Sequence, residues 1–162
     1  MTENYIFYAT GSKEEGYGHL YRVLGIYKEY LSDKKVFFLY QNKVQKDFYQ
    51  SNDLNCKNLD KFNIKKEFIF VVDTKDKDIG FLKTFIDKSL KSICIDTSND
   101  WVREFDNLVI PNFYFENEDL LKINSNTQIF YGKKYCIIRK QLPVYENQHT
   151  YLVTFGGSDP NN

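Results

Sequence analysis

This sequence has no net charge. Lys plus Arg number 22 and Asp plus Glu number 22, so no net field draws the chain toward nucleic acid or an anionic membrane, and a phosphate-bearing ligand needs a local site. There is no basic stripe interleaved with aromatics to follow a nucleic-acid strand. Cysteine is scarce. Cys56, Cys94 and Cys136 are far apart, odd in number and without metal-ligand spacing, which excludes a disulfide framework and suits a reducing cytoplasm. Cys94 and Cys136 lie inside apolar runs, the ordinary place for a small buried thiol. The 2 histidines, His19 and His149, are distant and the acids show no ligand spacing, so neither a metal nor another cofactor is expected. No apolar run approaches the roughly 20 residues that span a bilayer, and Met1-Thr2-Glu3-Asn4 does not open a signal peptide. A cytoplasmic protein without a membrane span is expected, and its partner is a small molecule. Internal repeats and low-complexity tracts are absent.

What is present is enough apolar material for one core: 42% of the 162 residues are hydrophobic. Apolar runs alternate with helix-period segments, the pattern of an α/β parallel sheet covered by helices. A strand at Tyr5 to Thr10 breaks at Gly11-Ser12, and a helix from Gly18 to Leu31 follows with Leu20, Val23, Leu24, Tyr27 and Leu31 on one face. Lys35 to Tyr40 reads as a second strand, a polar helical stretch runs to about Ser51, and Leu54 to Leu59 is a weak segment. Phe68 to Val72 is a strong strand ending at Asp73; a helix from about Asp78 to Leu90 is expected to bury Ile79, Leu82, Phe85, Ile86 and Leu90. Further strands run from Ser92 to Ile95, ending in Asp96, and from Asn107 to Ile110, ending at the Pro111-Asn112 turn. Asp73, Asp96 and Asn112 thus reach the carboxyl edge, where open α/β sheets hold ligands. Thr127 to Tyr131 is a sixth strand, Gly132 to Gln141 a loop, and Thr150 to Phe155 a last strand before a glycine-rich turn.

The densest chemical signal is Gly16-Tyr17-Gly18-His19-Leu20-Tyr21-Arg22, between the first strand and the first helix. Glycines let backbone approach a ligand, the helix start offers free amide donors, and His19 points into the same space. The positive end of the helix dipole disfavours an imidazolium, leaving His19 as a base for water or a hydroxyl. The plainer alternative is a turn with a capping histidine. Arg22, one turn on, neutralises a phosphate or pairs with Glu29 or another acid. Asp73 and Asp96 either line a site or cap the next turn.

Gly16-x-Gly18-His19-x-x-Arg22 resembles the signature of the family that hydrolyses the UDP-linked trideoxy sugar in pseudaminic acid synthesis, together with the related spore-coat polysaccharide proteins. Three further segments are similar in order: Phe68 to Asp73, Gly132-x-x-Tyr135-x-x-x-Arg139, and Thr154-Phe155-Gly156-Gly157-Ser158-Asp159. The resemblance implies a Rossmann-like N-terminal lobe of the GT-B glycosyltransferase type, with the active site in a cleft facing a second lobe. It implies His19 as base on water, Gly16, Gly18, Arg22, Asp73, Asp96, Asn112, Tyr135 and Arg139 around a UDP-linked deoxyamino sugar, and Gly156, Gly157 and Asp159 opening the nucleotide lobe. On this reading residues 1–142 form the first lobe, 143–149 a linker, and 150–162 the beginning of a second lobe supplied by further sequence or a partner chain. The chain differs from the family pattern at Tyr8 and Thr10, where Arg and Asp are usual, and at Thr74-Lys75-Asp76, where His, Tyr and Gly usually follow the strand-end acid. A glycosyltransferase using the same base on a sugar hydroxyl, and a non-catalytic interaction module, remain as alternatives. For Tyr135 and Arg139 packing is the plainer role, and His149, Tyr114 and Phe115 are read as solvated or packing residues.

Overall fold

A computed structural model describes residues 4–14, 16–63, 67–96, 99–111 and 126–135. Among the described residues seven strands form one parallel sheet in the order β3-β2-β1-β4-β5-β6-β7. They are β1 Asn4–Ala9, β2 Lys35–Tyr40, β3 Cys56–Asn58, β4 Phe68–Asp73, β5 Lys91–Ile95, β6 Asn107–Ile110 and β7 Gln128–Tyr131. Helix α1, Gly18–Ile26, follows β1 and widens into a π-helical turn at Tyr27–Leu31; α2, Lys43–Ser51, follows β2. Short 3-10 turns at Leu59–Lys61 and Asp100–Glu104, and a 3-10 turn at Gly80–Leu82 running into α3, Lys83–Lys88, lie in the described connections on the other side. This is a Rossmann-like α/β fold, and its strand order reverses direction between β1 and β4.

The apolar runs within β1 and β4 are continuous because both sheet faces are covered, so side chains on either face of these runs need apolar partners. Ile6, Tyr8, Phe70 and Val72 face a core shared with Leu82, Ile86, Val102 and Phe105. Phe7, Ala9 and Val71 face the other, built with Leu20, Val23 and Leu24 of α1 and Phe48 and Tyr49 of α2. Fully burying a Leu or Phe side chain contributes about 1.5–3 kcal/mol, so these two layers dominate the favourable side of folding. The pairing of β1 with β4 sets Ala9 opposite Asp73, which fixes where the carboxyl edge lies.

Two sequence expectations change. The segment expected as one helix from Asp78 to Leu90 is a 3-10 turn and a six-residue helix: the Asp78 carboxylate accepts from the Gly80 amide at 2.8 Å, and Ser89 is already extended. Leu90 is not inward. Its amide joins the Phe68 carbonyl at 2.9 Å as β5 begins, and the side chain is 60% exposed. The weak segment at Leu54 to Leu59 contains β3, three residues with no apolar run, paired to β2 as the sheet's short polar edge. Among the described residues no helix is long and apolar enough to cross a membrane, and no group of His, Cys, Asp and Glu could hold a metal ion.

Candidate active site

The loop from Gly11 to Tyr17 carries β1 over the carboxyl edge and delivers α1 back onto the sheet. Gly11 is required by proximity: a Cβ there would lie 2.4 Å from Leu20 Cδ1. Gly16 is required by conformation, with φ at 81°, and its amide closes a tight turn onto the Ser12 carbonyl at 3.0 Å. Gly18 has neither constraint. It is exposed, a Cβ would meet nothing within 4 Å, and it opens α1 with free space in front of it. Tyr17 is the N-cap and no side chain caps the helix, so His19 is not a capping residue.

His19 and Arg22, three positions apart on α1, share one face and turn it toward the ends of β4 and β5. By the alternation of β4, Val71 and Asp73 face α1 while Val72 faces away. Asp73 is fully buried and its Oδ1 lies 2.6 Å from His19 Nδ1. An ionised carboxylate only accepts, so Nδ1 carries the hydrogen, and in the neutral ring Nε2 keeps its lone pair. Nε2 has no partner among the described residues. Among the described residues the buried side-chain polar atoms without a hydrogen-bond partner are Tyr49 Oη, Asn58 Oδ1 and Asp73 Oδ2, so Nε2 keeps contact with solvent. The ring is therefore oriented by one nitrogen and open at the other, although only 10% of the side chain is exposed.

Arg22 fills the space behind this pair. Its Nε lies 2.9 Å from Asp73 Oδ2, an ion contact whose N–H is not aligned as a hydrogen bond, and its Nη1 donates to Asp96 Oδ2 at 2.6 Å. Nη2 approaches His19 Nδ1 at 3.4 Å, but with hydrogen on both atoms this is contact, not bonding. The guanidinium thus pairs with two strand-end acids rather than with Glu29. Asp96 stands at φ 53°, a conformation side chains with a Cβ rarely take.

The surrounding loops are bound to this edge by residues that the motif reading passed over. Gln45, almost fully buried, accepts from the amides of Gln41 and Asn42 and donates to the Ala9 carbonyl at 2.8 Å. Asn42 accepts from the Gln45 amide, completing a capping box for α2, and donates to the Gly11 carbonyl at 3.3 Å. The spacing Asn42-x-x-Gln45 was the available signal. Tyr8 reaches the same loop, donating to Gln41 Oε1 at 2.7 Å, and the Thr10 amide donates to the Asp73 carbonyl at 3.1 Å. After Asp73, Thr74 accepts from the Asp76 amide, and the Asp76 carbonyl accepts from Asn99 and Trp101, tying the loops after β4 and β5 together.

Of the sequence candidates, Gly16, Gly18, His19, Arg22, Asp73 and Asp96 come together at the switch between β1 and β4, the crevice where doubly wound sheets hold ligands. Tyr135 packs elsewhere: its ring meets Phe130 edge to face at 5.5 Å and lines an apolar groove of about 330 Å³ with Phe7, Leu31 and Ile93. Asn112, Arg139, Gly156, Gly157 and Asp159, with the linker and last strand, lie outside the described residues, as do Cys136, His149, Tyr114 and Phe115.

No family model matches the chain. It is similar, at 27% identity over 179 aligned positions, to the uncharacterized protein MJ1062 of Methanocaldococcus jannaschii; the match takes in 94% of this chain and 36% of that protein.

Proposed function

We propose that this chain is the base-bearing lobe of a nucleotide-sugar hydrolase that releases UDP from a UDP-linked deoxyamino sugar. The observation that carries the reading is the His19–Asp73 pair: a ring held at Nδ1 by a fully buried carboxylate, with Nε2 open, at the carboxyl edge of a parallel sheet. This is the arrangement a general base needs, a fixed tautomer and a lone pair aimed at the reacting atom. Similarity of the Gly16-to-Arg22 segment to the hydrolases of pseudaminic acid synthesis supplies the substrate class. In the reaction, water attacks the anomeric carbon and gives its proton to His19 Nε2. The anomeric C–O bond breaks, and its electron pair leaves with the diphosphate oxygen. Asp73 stabilises the charge that develops on the ring; Arg22 balances part of the charge that Asp73 and Asp96 bring. UDP belongs to a second lobe, entered through Gly156, Gly157 and Asp159.

A glycosyltransferase is the second reading, because a base placed in this way removes a proton from a sugar hydroxyl as readily as from water. The test is to express the whole reading frame containing this sequence and supply UDP-linked deoxyamino sugars, following UDP and sugar separately. Release of UDP with free sugar, lost by about 10²–10⁴-fold in His19→Ala, supports the hydrolase. Sugar transferred to an acceptor moves the assignment to a transferase. Turnover unaffected by His19→Ala refutes both.

A further inference from the structure

Asp96 departs from the geometry of its strand. Along β5, Cys94 faces the core beneath α3 and Ile95 faces the core beneath α1. An extended residue 96 would therefore point away from α1. Its amide still continues the ladder, donating to the Val109 carbonyl at 2.9 Å, but φ at 53° swings the side chain onto Arg22. A non-glycine residue in this region is strained, Asp less than most, and such outliers cluster at functional sites. Only Oδ2 is engaged by Arg22 among the described residues; Oδ1 has no partner there, and 38% of the side chain is exposed, against 0% for Asp73. The adjoining His19 side chain is nine-tenths buried and likewise leaves one polar atom, Nε2, open.

The charge of the cluster decides what this corner accepts. Two carboxylates, Asp73 and Asp96, stand against the single guanidinium of Arg22, so with His19 neutral the sum is one negative charge. A diphosphate brought here meets a guanidinium already occupied on two sides and an exposed carboxylate oxygen. A hydroxyl, amine or amide N–H meets an acceptor with a free lone pair. We propose that Asp96 is a recognition residue of this site, its Oδ1 accepting a hydrogen bond from a hydroxyl or nitrogen donor of the sugar, with the diphosphate excluded from this corner. The inference rests on the sugar reading above and adds the orientation of the substrate: donor-bearing ring against β5, phosphates away from it.

The experiment is an NMR titration of the full 15N-labelled chain with glucosamine and, separately, with sodium pyrophosphate, following the amides from Ile95 to Asp96 and the His19 ring. The expected result is a saturable shift of these signals with glucosamine and none with pyrophosphate. Asp96→Asn tolerates the same backbone conformation and still offers Arg22 an oxygen, but loses the charge; it is expected to weaken glucosamine at least about 5-fold. A residue that merely braces Arg22 would lower thermal stability on substitution and leave this affinity unchanged. Saturable pyrophosphate shifts at these signals, absence of a glucosamine shift, or equal glucosamine affinity in the variant each overturn the proposal, and the wild-type comparison decides it even where Asp96→Asn does not fold. Binding is scored without turnover, so a chain that binds glucosamine as described yet releases no UDP removes the hydrolase reading alone.

Discussion

Replacing Asp73 by Asn tests the central dyad with a change of one atom. The carboxylate is fully buried, holds His19 Nδ1 at 2.6 Å and lies 2.9 Å from Arg22 Nε. Removing one partner of a buried charge pair costs about 3–5 kcal/mol when the other is stranded. Here Arg22 is 19% exposed and retains Asp96, and the Asn amide still bonds the ring, so the expected loss is about 2 kcal/mol, the range of one charge-assisted hydrogen bond. In thermal unfolding that is a fall of about 4–8 °C. The chemical effect is larger than the structural one. An Asn NH2 donates to Nδ1, which moves the ring hydrogen to Nε2 and turns the open lone pair into a donor. Turnover of the complete protein should drop about 10⁴-fold with the fold intact. The ring nitrogens can be read directly by 15N–1H correlation at about pH 9, above the ordinary imidazole range, with His19→Gln assigning the signals against His149. Wild type should show hydrogen on Nδ1 and Asp73→Asn hydrogen on Nε2. Hydrogen on Nε2 in the wild type, or the same tautomer in both proteins, would refute the assignment of His19 as an oriented base.

The glycines of the motif region separate by substitution. Gly11→Ala would put a Cβ 2.4 Å from Leu20 Cδ1 and 2.7 Å from its Cγ, so urea unfolding should show a loss of about 1–3 kcal/mol, and the same change made in a Leu20→Ala background should cost less. Gly18→Ala meets nothing and should be neutral or raise stability by up to about 1 kcal/mol; the reverse order would mean that the loop packs differently. The thiols separate by burial. Cys94 is fully buried, donates to the Asn107 carbonyl at 3.5 Å, and burial pushes its thiol well above the ordinary range, whereas Cys56 is half-buried. At pH 8.5 the thiolate is the reacting form, so iodoacetamide should modify Cys56 first and reach Cys94 only on unfolding. Equal rates in the native protein would contradict the packing of β5 against β6.

The sheet was legible in the sequence where strands are buried on both faces. Such strands must be apolar throughout, and β1, β4, β5 and β6 show as short runs bounded by Gly, Asp or Pro. Helix α1 and the dense Gly16-to-Arg22 segment were legible for the same kind of reason, a local period and a local turn. Edge strand β3 was not, because a strand with one neighbour and polar side chains carries no apolar signal; nor was the early end of α3, which follows from Leu90 being taken into the pairing of β4 with β5. The sequence by itself determined that acids end two of the strands and that a histidine opens a helix. Only the tertiary structure decided that they meet. His19 and Asp73 are 54 residues apart and become neighbours because β4 crosses over to lie beside β1, and Asp96 joins them only because its backbone turns left-handed at the end of β5. Contacts of that separation depend on strand order and on which face each residue takes, and neither is a property of any local stretch of sequence.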